Sequence, residues 1–253
     1  MQPSSSLKVL LLAGPPGSAS LWRDVQARMA PSVDVEAIEL FDPAPEDPTV
    51  QGLAAAVVAR ARALKRPIAL VAHGSAVPVA WRAAAALEPA ALVLSDGPVS
   101  RLDPVTTALC QLARSPWLLS KTVLQPHVLT SWLVSSAGLR RAVVNPYVAD
   151  RDTVVALLAP LLRSPAHRLA VARFLASLPA AVASPPSFAG RTLLCWGDAD
   201  PLYGPEMADE ARRWLPQADV VAVPGGQHLH PVERPWAMAD LVMAWLAKQP
   251  IAT

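Results

Sequence analysis

Pro67-Ile68-Ala69-Leu70-Val71-Ala72-His73-Gly74-Ser75-Ala76 is the stretch on which the fold turns. Ile68 to Ala72 is a short apolar run introduced by a proline, the pattern of a strand buried on both faces, and Ala76 to Leu87 reads as a helix. His73-Gly74-Ser75 joins them. A strand turning sharply into a helix through small residues lifts one side chain above a parallel sheet, beside free helix N-terminal amides. The usual spacing, small-x-nucleophile-x-small, fits in two registers. With Ala72 and Ala76 as the small residues, Gly74 stands at the nucleophile position; with Ser75 there, the flanking residues are His73 and Val77.

Upstream, Leu7 to Leu12 is a second buried run, followed by the turn Ala13-Gly14-Pro15-Pro16-Gly17-Ser18 and a helix from Leu21 to Met29. Val33 to Leu40 is a strand. Pro43, Pro45 and Pro48 make the next stretch a loop, with Asp47 or Thr49 available to cap a helix to about Leu64. Downstream, Ala91 to Ser95 is a strand closed by Asp96-Gly97-Pro98. Strands alternating with helices over short connections predict an α/β fold with right-handed crossovers and a mostly parallel sheet.

From Ser100 the alternation stops. Helical patterns at Val105–Ala113, Trp117–Leu124, Val128–Ala137, Thr153–Leu162 and Ala166–Ala176 follow without a credible strand, punctuated by prolines that include Pro160 and Pro179. Residues 100–188 therefore read as an all-helical insert, and residues 1–99 and 189–253 as the core domain. The sheet resumes at Thr192 to Trp196. A helix at Pro205–Trp214, a strand at Ala218–Val223 and a helix at Val232–Leu246 follow, with Trp22, Trp81, Trp214, Trp236 and Trp245 at core spacing.

A chain of 253 residues with 53% hydrophobic content suffices for one large domain with an insert. The net charge of +2 gives no reason to expect nucleic acid as a partner. The distribution is uneven: residues 100–188 hold nine Lys or Arg against three Asp, and the remainder 13 against 17 acidic residues. Two cysteines, Cys110 and Cys195, make a disulfide framework unexpected and a reducing, cytoplasmic compartment the expectation. The stretch 1–6 lacks a leader's basic region, and the apolar stretch around Leu118–Val134 is broken by Lys121, Pro126 and His127, so no membrane partner is expected. No cofactor and no metal are expected, and nothing in the chain sets an oligomeric state.

Two further segments carry a resemblance. Leu193-Leu194-Cys195-Trp196-Gly197-Asp198-Ala199-Asp200-Pro201 and Pro224-Gly225-Gly226-Gln227-His228-Leu229-His230-Pro231 resemble the loops that present the acid and the histidine of the α/β-hydrolase family, over a likeness that covers nearly the whole chain. Ala13 to Gly17 occupies the place of that family's oxyanion loop, and the helical insert the place of its cap. The resemblance implies Asp200 as acid, His228 as base, and an oxyanion hole from the Ser75 amide and the Gly14–Pro16 turn, where Pro15 and Pro16 offer no N–H and Gly14 or Gly17 must donate. Asp96 competes with Asp200 as the acid, its other role being a loop cap. The attacking atom is a displaced Ser75 hydroxyl or a water activated by His228. The implied reaction is hydrolysis of a small apolar carboxylic ester, thioester or lactone; the alternative is a nucleophile-less pseudo-hydrolase that binds a small ligand or protein partner without turnover.

His73 reads as a turn residue near the sheet edge or as a second base in the pocket, Asp198 as solvent-exposed, and His230 as a packing or hydrogen-bonding residue of its own loop. Trp117, His127 and Trp132 are the candidates for lining the pocket from the insert. The basic insert suggests an anionic or carrier-linked acyl substrate, against the plainer possibility of a solvated face.

Overall fold

Runs of Leu, Val and Ala are buried over their whole length only where both faces of a strand are covered. The computed structural model, which describes residues 7–248, sets four of them side by side: β1 (Lys8–Ala13), β3 (Ile68–His73), β4 (Ala91–Ser95) and β5 (Thr192–Gly197). The stretch 1–6, read above for the lack of a leader's basic region, lies outside the described residues. With β2 (Asp34–Ile38) and β6 (Asp219–Val223) at the edges, the strands form one six-stranded sheet in the order β2-β1-β3-β4-β5-β6, parallel throughout.

The period of two along the strands sorts the core into two layers. Leu10, Leu12, Leu70, Leu92, Leu94 and Trp196 face one layer, which α2 (Val50–Ala63), α3 (Val77–Leu87) and α9 (Pro165–Ala183) cover. Val9, Leu11, Val71, Val93 and Leu193 face the other, closed by α1 (Arg23–Met29) and α12 (Pro235–Ala247). Thr49 supplies the cap of α2 by accepting the Gly52 amide, while Asp47 accepts the amide of Thr49 itself.

Between β4 and β5 the chain is helical: α4 (Pro104–Leu112), α5 (Pro116–Lys121), α6 (Pro126–Leu133), α7 (Arg151–Leu157), α8 (Ala159–Arg163) and α9, with no strand among residues 100–188. The prolines behave differently from simple breaks. Pro104, Pro116, Pro126 and Pro165 are the first residues of their helices, where the missing N–H would have had no partner. Pro160 splits the single helix expected over Thr153–Leu162 into α7 and α8. Pro179 is the reverse case, because α9 runs through it to Ala183.

Two tryptophans expected in the core are not there. Trp236 is 69% and Trp214 49% exposed. The helix expected over Val232–Leu246 is two, α11 (His230–Glu233) and α12, whose buried stripe is Met238, Ala239, Val242, Trp245 and Leu246, and Trp236 lies off it. Trp214 falls beyond the end of α10 (Glu206–Ala211). Trp22, Trp81 and Trp245 are buried as the spacing predicts. Among the described residues no helix is long and apolar enough to cross a membrane.

Chain order reverses between β1 and β3: β1 leads out to β2, and β3 returns on the other side of β1. At such a switch point the loops leaving the strands diverge and open a crevice at their C-terminal ends. Ala13 and His73, the last residues of the two strands, are register partners, so the Gly14–Gly17 turn and the Gly74–Ala76 turn lie against each other there.

Candidate active site

The residue at the apex of the turn after β3 is Gly74. Its φ of +60° is a conformation side chains adopt at a cost, and a Cβ added there would meet nothing nearer than His228 Nε2, 3.9 Å away. A side chain at 74 would point at the histidine through unfilled space. Ser75 is turned elsewhere: its hydroxyl donates to the Pro15 carbonyl at 2.5 Å.

The Gly14–Gly17 turn is packed hard on this one. A Cβ on Gly14 would come within 2.1 Å of the Ala76 nitrogen and 2.4 Å of the Ser75 carbonyl carbon. Because those are backbone atoms, Gly14→Ala is expected to force the two turns apart and to cost about 1–3 kcal/mol, as overpacking of a tight site does, read as a lowered midpoint in thermal or urea unfolding. The Gly17 amide donates to the Gly14 carbonyl at 2.9 Å, so of the two glycines expected as oxyanion donors Gly17 has its amide already taken.

His228 comes to the site on the loop between β6 and α11. Its Nδ1 lies 2.9 Å from Asp200 Oδ2, which fixes Nδ1 as the protonated nitrogen and leaves Nε2 to face the space over Gly74. Asp200 Oδ1 accepts the Leu202 amide at 2.7 Å. Burial alone would raise the Asp200 carboxyl, but the positive charge and hydrogen bond of His228, with the Leu202 and Tyr203 amides, hold it below the usual carboxylate range. Burial likewise opposes a charge on His228, yet the Asp200 charge and hydrogen bond, with Asp96 and Asp103 behind them, outweigh it and raise the imidazole above its ordinary value.

Asp96 does not pair with His228. It is fully buried at φ +43°, and its Oδ2 contacts His230 Nε2 at 2.5 Å and accepts the Ser95 hydroxyl at 2.6 Å, while Oδ1 accepts the Gly197 amide at 2.8 Å. His230 therefore bonds across the sheet to the end of β4 instead of within its own loop, and Asp96 is no helix cap. His73 is also not at a sheet edge: it ends the central strand, 4% exposed, with Nδ1 3.4 Å from the Ser95 hydroxyl and its ring 5.0 Å from that of His228. Burial, added to the nearby charges of His228 and His230, pushes His73 well below the ordinary histidine value and keeps it neutral.

His73, Asp96 and His230 bring one ligating atom each within 4.8 Å of one another, a set that sequence reading did not assemble. It fits a metal poorly. The 2.5 Å between His230 and Asp96 is a hydrogen bond, whereas two donors at about 2.1 Å from one tetrahedral zinc stand roughly 3.4 Å apart, and the Ser95 hydroxyl already lies among the three groups. The cluster acts as a buried hydrogen-bonded support behind the Gly74 turn.

A cavity of about 170 Å³ opens over Gly74 and His228. His73, Gly14, Ser75 and Trp132 line it, as do Asp103 and Tyr203, which sequence reading missed. Tyr203 donates to Asp103 Oδ2 at 2.9 Å, and Asp103 Oδ1 accepts the Val105 and Thr106 amides at the start of α4. The signal for Asp103 was legible as a helix cap before Pro104. Trp117 and His127 do not line the cavity: α5 turns Leu119 and Ser120 inward and α6 turns Leu129, Thr130 and Leu133 inward, leaving both expected residues on the outer surface. Asp198 is exposed, as expected.

No family model matches the chain, and no curated protein matches it in sequence. Solved structures do match. An epoxide hydrolase, CorEH, superposes over 97% of this chain and 93% of its own with a TM-score of 0.79 at 15% identity. A reconstructed putative ancestral haloalkane dehalogenase covers 98% and 93% with a TM-score of 0.75 at 21% identity. A thermophilic esterase from Thermogutta terrifontis, malate bound, covers 97% and 91% with a TM-score of 0.69 at 20% identity.

Proposed function

The chain has the α/β-hydrolase fold, and on that premise we propose that it hydrolyses a small apolar carboxylic ester, thioester or lactone by direct attack of water, with His228 as general base. The observation that carries this is the 3.9 Å between His228 Nε2 and the place where a Cβ of residue 74 would stand. Unfilled space in front of a base held by a buried carboxylate is where a water can be deprotonated as it attacks.

In this mechanism Asp200 holds His228 in the tautomer with Nδ1 protonated and stabilises the imidazolium. Water attacks the carbonyl carbon while its proton passes to Nε2, and the charge on the carbonyl oxygen meets the Ser75 and Gly14 amides. As the tetrahedral species collapses, His228 returns the proton to the leaving oxygen or sulfur. No acyl-enzyme forms. General base catalysis of this kind contributes about 10²- to 10⁴-fold, enough for activated acyl groups. Residues 100–188 serve as the cap over the core, which walls the cavity with α4, the end of α6, the stretch 137–142 and Leu157–Leu158. Two buried, reduced thiols suit the cytoplasm.

Short-chain p-nitrophenyl esters and a thioester panel test it. His228→Ala is expected to lower turnover about 10²- to 10⁴-fold, and a fluorophosphonate is expected to leave the native protein unlabelled. Labelling of Ser75 would instead restore a covalent route. The rate should also climb with pH. The base must be neutral, and because its neighbours raise His228 above the ordinary 6.5, the acidic limb of the kcat profile is expected to have its midpoint above that value and to lose it in Asp200→Asn.

Binding without turnover is the second reading. Pro15 and Pro16 offer no N–H and the Gly17 amide is already taken, so the oxyanion side is thinly furnished. Inactivity over the whole ester panel, unchanged in His228→Ala, would decide for it.

A further inference from the structure

We infer that Arg141 is a specificity-determining residue that selects substrates bearing an anionic group, carboxylate or phosphate, remote from the reacting carbonyl. Nine Lys or Arg occupy residues 100–188, but the fold separates them. Arg101 is paired with Glu206 and Glu210, and Arg163 with Asp42. Arg141 is the single Lys or Arg among the residues that line the cavity over His228. Among the described residues its guanidinium forms no ion pair and no hydrogen bond.

Arg141 is held against the histidine loop. It belongs to the turn Leu139–Ala142, and the Leu229 amide, next in the chain after His228, donates to the Ala142 carbonyl at 3.2 Å. The Asn145 amide adds a second tie to Glu233 at 2.8 Å. On its other side Gly138 packs so closely on the end of α6 that a Cβ would lie 2.3 Å from the Trp132 carbonyl oxygen. A turn tied at both ends fixes where the backbone of Arg141 stands at the cavity.

The rest of the lining makes that charge selective. Its one carboxylate, Asp103, is 2% exposed, accepts from Tyr203 and from the amides at the start of α4, and makes no ion pair with Arg141. Leu133, Leu139, Leu157, Leu158 and Leu202 suit an aliphatic chain running between the two polar ends. Arg141 is exposed, and a planar guanidinium offers paired donors to a carboxylate or phosphate.

For the reaction this rests on the hydrolase reading; for binding it does not. Monomethyl and dimethyl adipate differ only in a charge at the far end, and are the probes. The native protein is expected to favour the monoester in kcat/KM. Arg141→Ala should cut that preference at least tenfold through KM, and Arg141→Lys should keep part of it. Arg140→Ala, next in the chain but outside the lining, should leave it unchanged, and rising salt should erode it in the native protein. If neither ester is turned over, calorimetric affinity for the monoester still reads the inference: an at least tenfold loss in Arg141→Ala supports it while the hydrolase reading alone fails. An unchanged monoester-to-diester ratio or affinity in Arg141→Ala, or no monoester binding by the native protein, overturns it.

Discussion

Gly74→Ser is expected to acquire covalent labelling by a fluorophosphonate, with the label on residue 74. The new Cβ enters open space 3.9 Å from His228 Nε2, and a hydroxyl one bond further out falls within hydrogen-bond reach of that nitrogen. His228 already has Asp200 behind it at 2.9 Å, and the Ser75 amide follows residue 74 in the chain, so one oxygen atom completes a nucleophile, a base and an acid. The substitution has a structural cost, because a non-glycine residue at φ +60° loses about 1–2 kcal/mol. For a chain of this size that is a fall of roughly 2–8 °C in Tm. Gly74→Ala bears the same backbone cost without the hydroxyl. It is expected to show the same fall and no label, which separates chemistry from strain. A folded Gly74→Ser protein that stays unlabelled would show that the turn aims its side chain elsewhere.

The largest loss of stability is expected at Asp96. Its two oxygens face the His230 ring, the Ser95 hydroxyl and the Gly197 amide in a place with no solvent contact. Asp96→Ala removes the acceptor that all three share between β4 and β5 and leaves the Gly197 amide without one. Each buried hydrogen-bonding group that loses its partner costs about 1–3 kcal/mol, so the urea midpoint should drop steeply or the protein should fail to fold. Asp198→Ala is the contrast two residues before Asp200. Asp198 also accepts a backbone amide, that of Gly225, at 2.6 Å, but in solvent, and its loss should cost roughly 0.5–1.5 kcal/mol. Equal losses at the two positions would mean that the cluster of His73, Ser95, Asp96 and His230 is not the support it is taken to be.

Five of the six strands, β1, β3, β4, β5 and β6, are visible in the sequence within a residue at each end, and for the four in the middle of the sheet the reason is physical. A strand covered on both faces needs an unbroken apolar run, and glycine and proline mark where the run stops. The Asp200 and His228 loops were legible through the family resemblance, and the same local logic located the turn at Gly74 and the helical stretch after Ser100. It failed where a choice depended on what lay opposite. The spacing of Trp236 was compatible with a core face, but α12 starts at Pro235 and turns its stripe another way. The two histidines of His228-Leu229-His230 look equivalent in the sequence, yet one meets Asp200 and the other Asp96, 134 residues earlier.

The sequence by itself determined where the strands fall along the chain and how they are covered, the absence of a side chain at residue 74 and, through the family resemblance, the two late loops that offer the acid and the histidine. These are properties of short segments, governed by periodicity and by the backbone freedom of glycine. Only the tertiary structure decided that Asp200 and not Asp96 stands behind His228, that the Ser75 hydroxyl is tied to Pro15, and that Arg141 alone of nine basic residues in the insert reaches the cavity. Each joins groups from 28 to 134 residues apart or ranks like residues by position, and the order β2-β1-β3-β4-β5-β6 and the packing of the insert settle which of them meet.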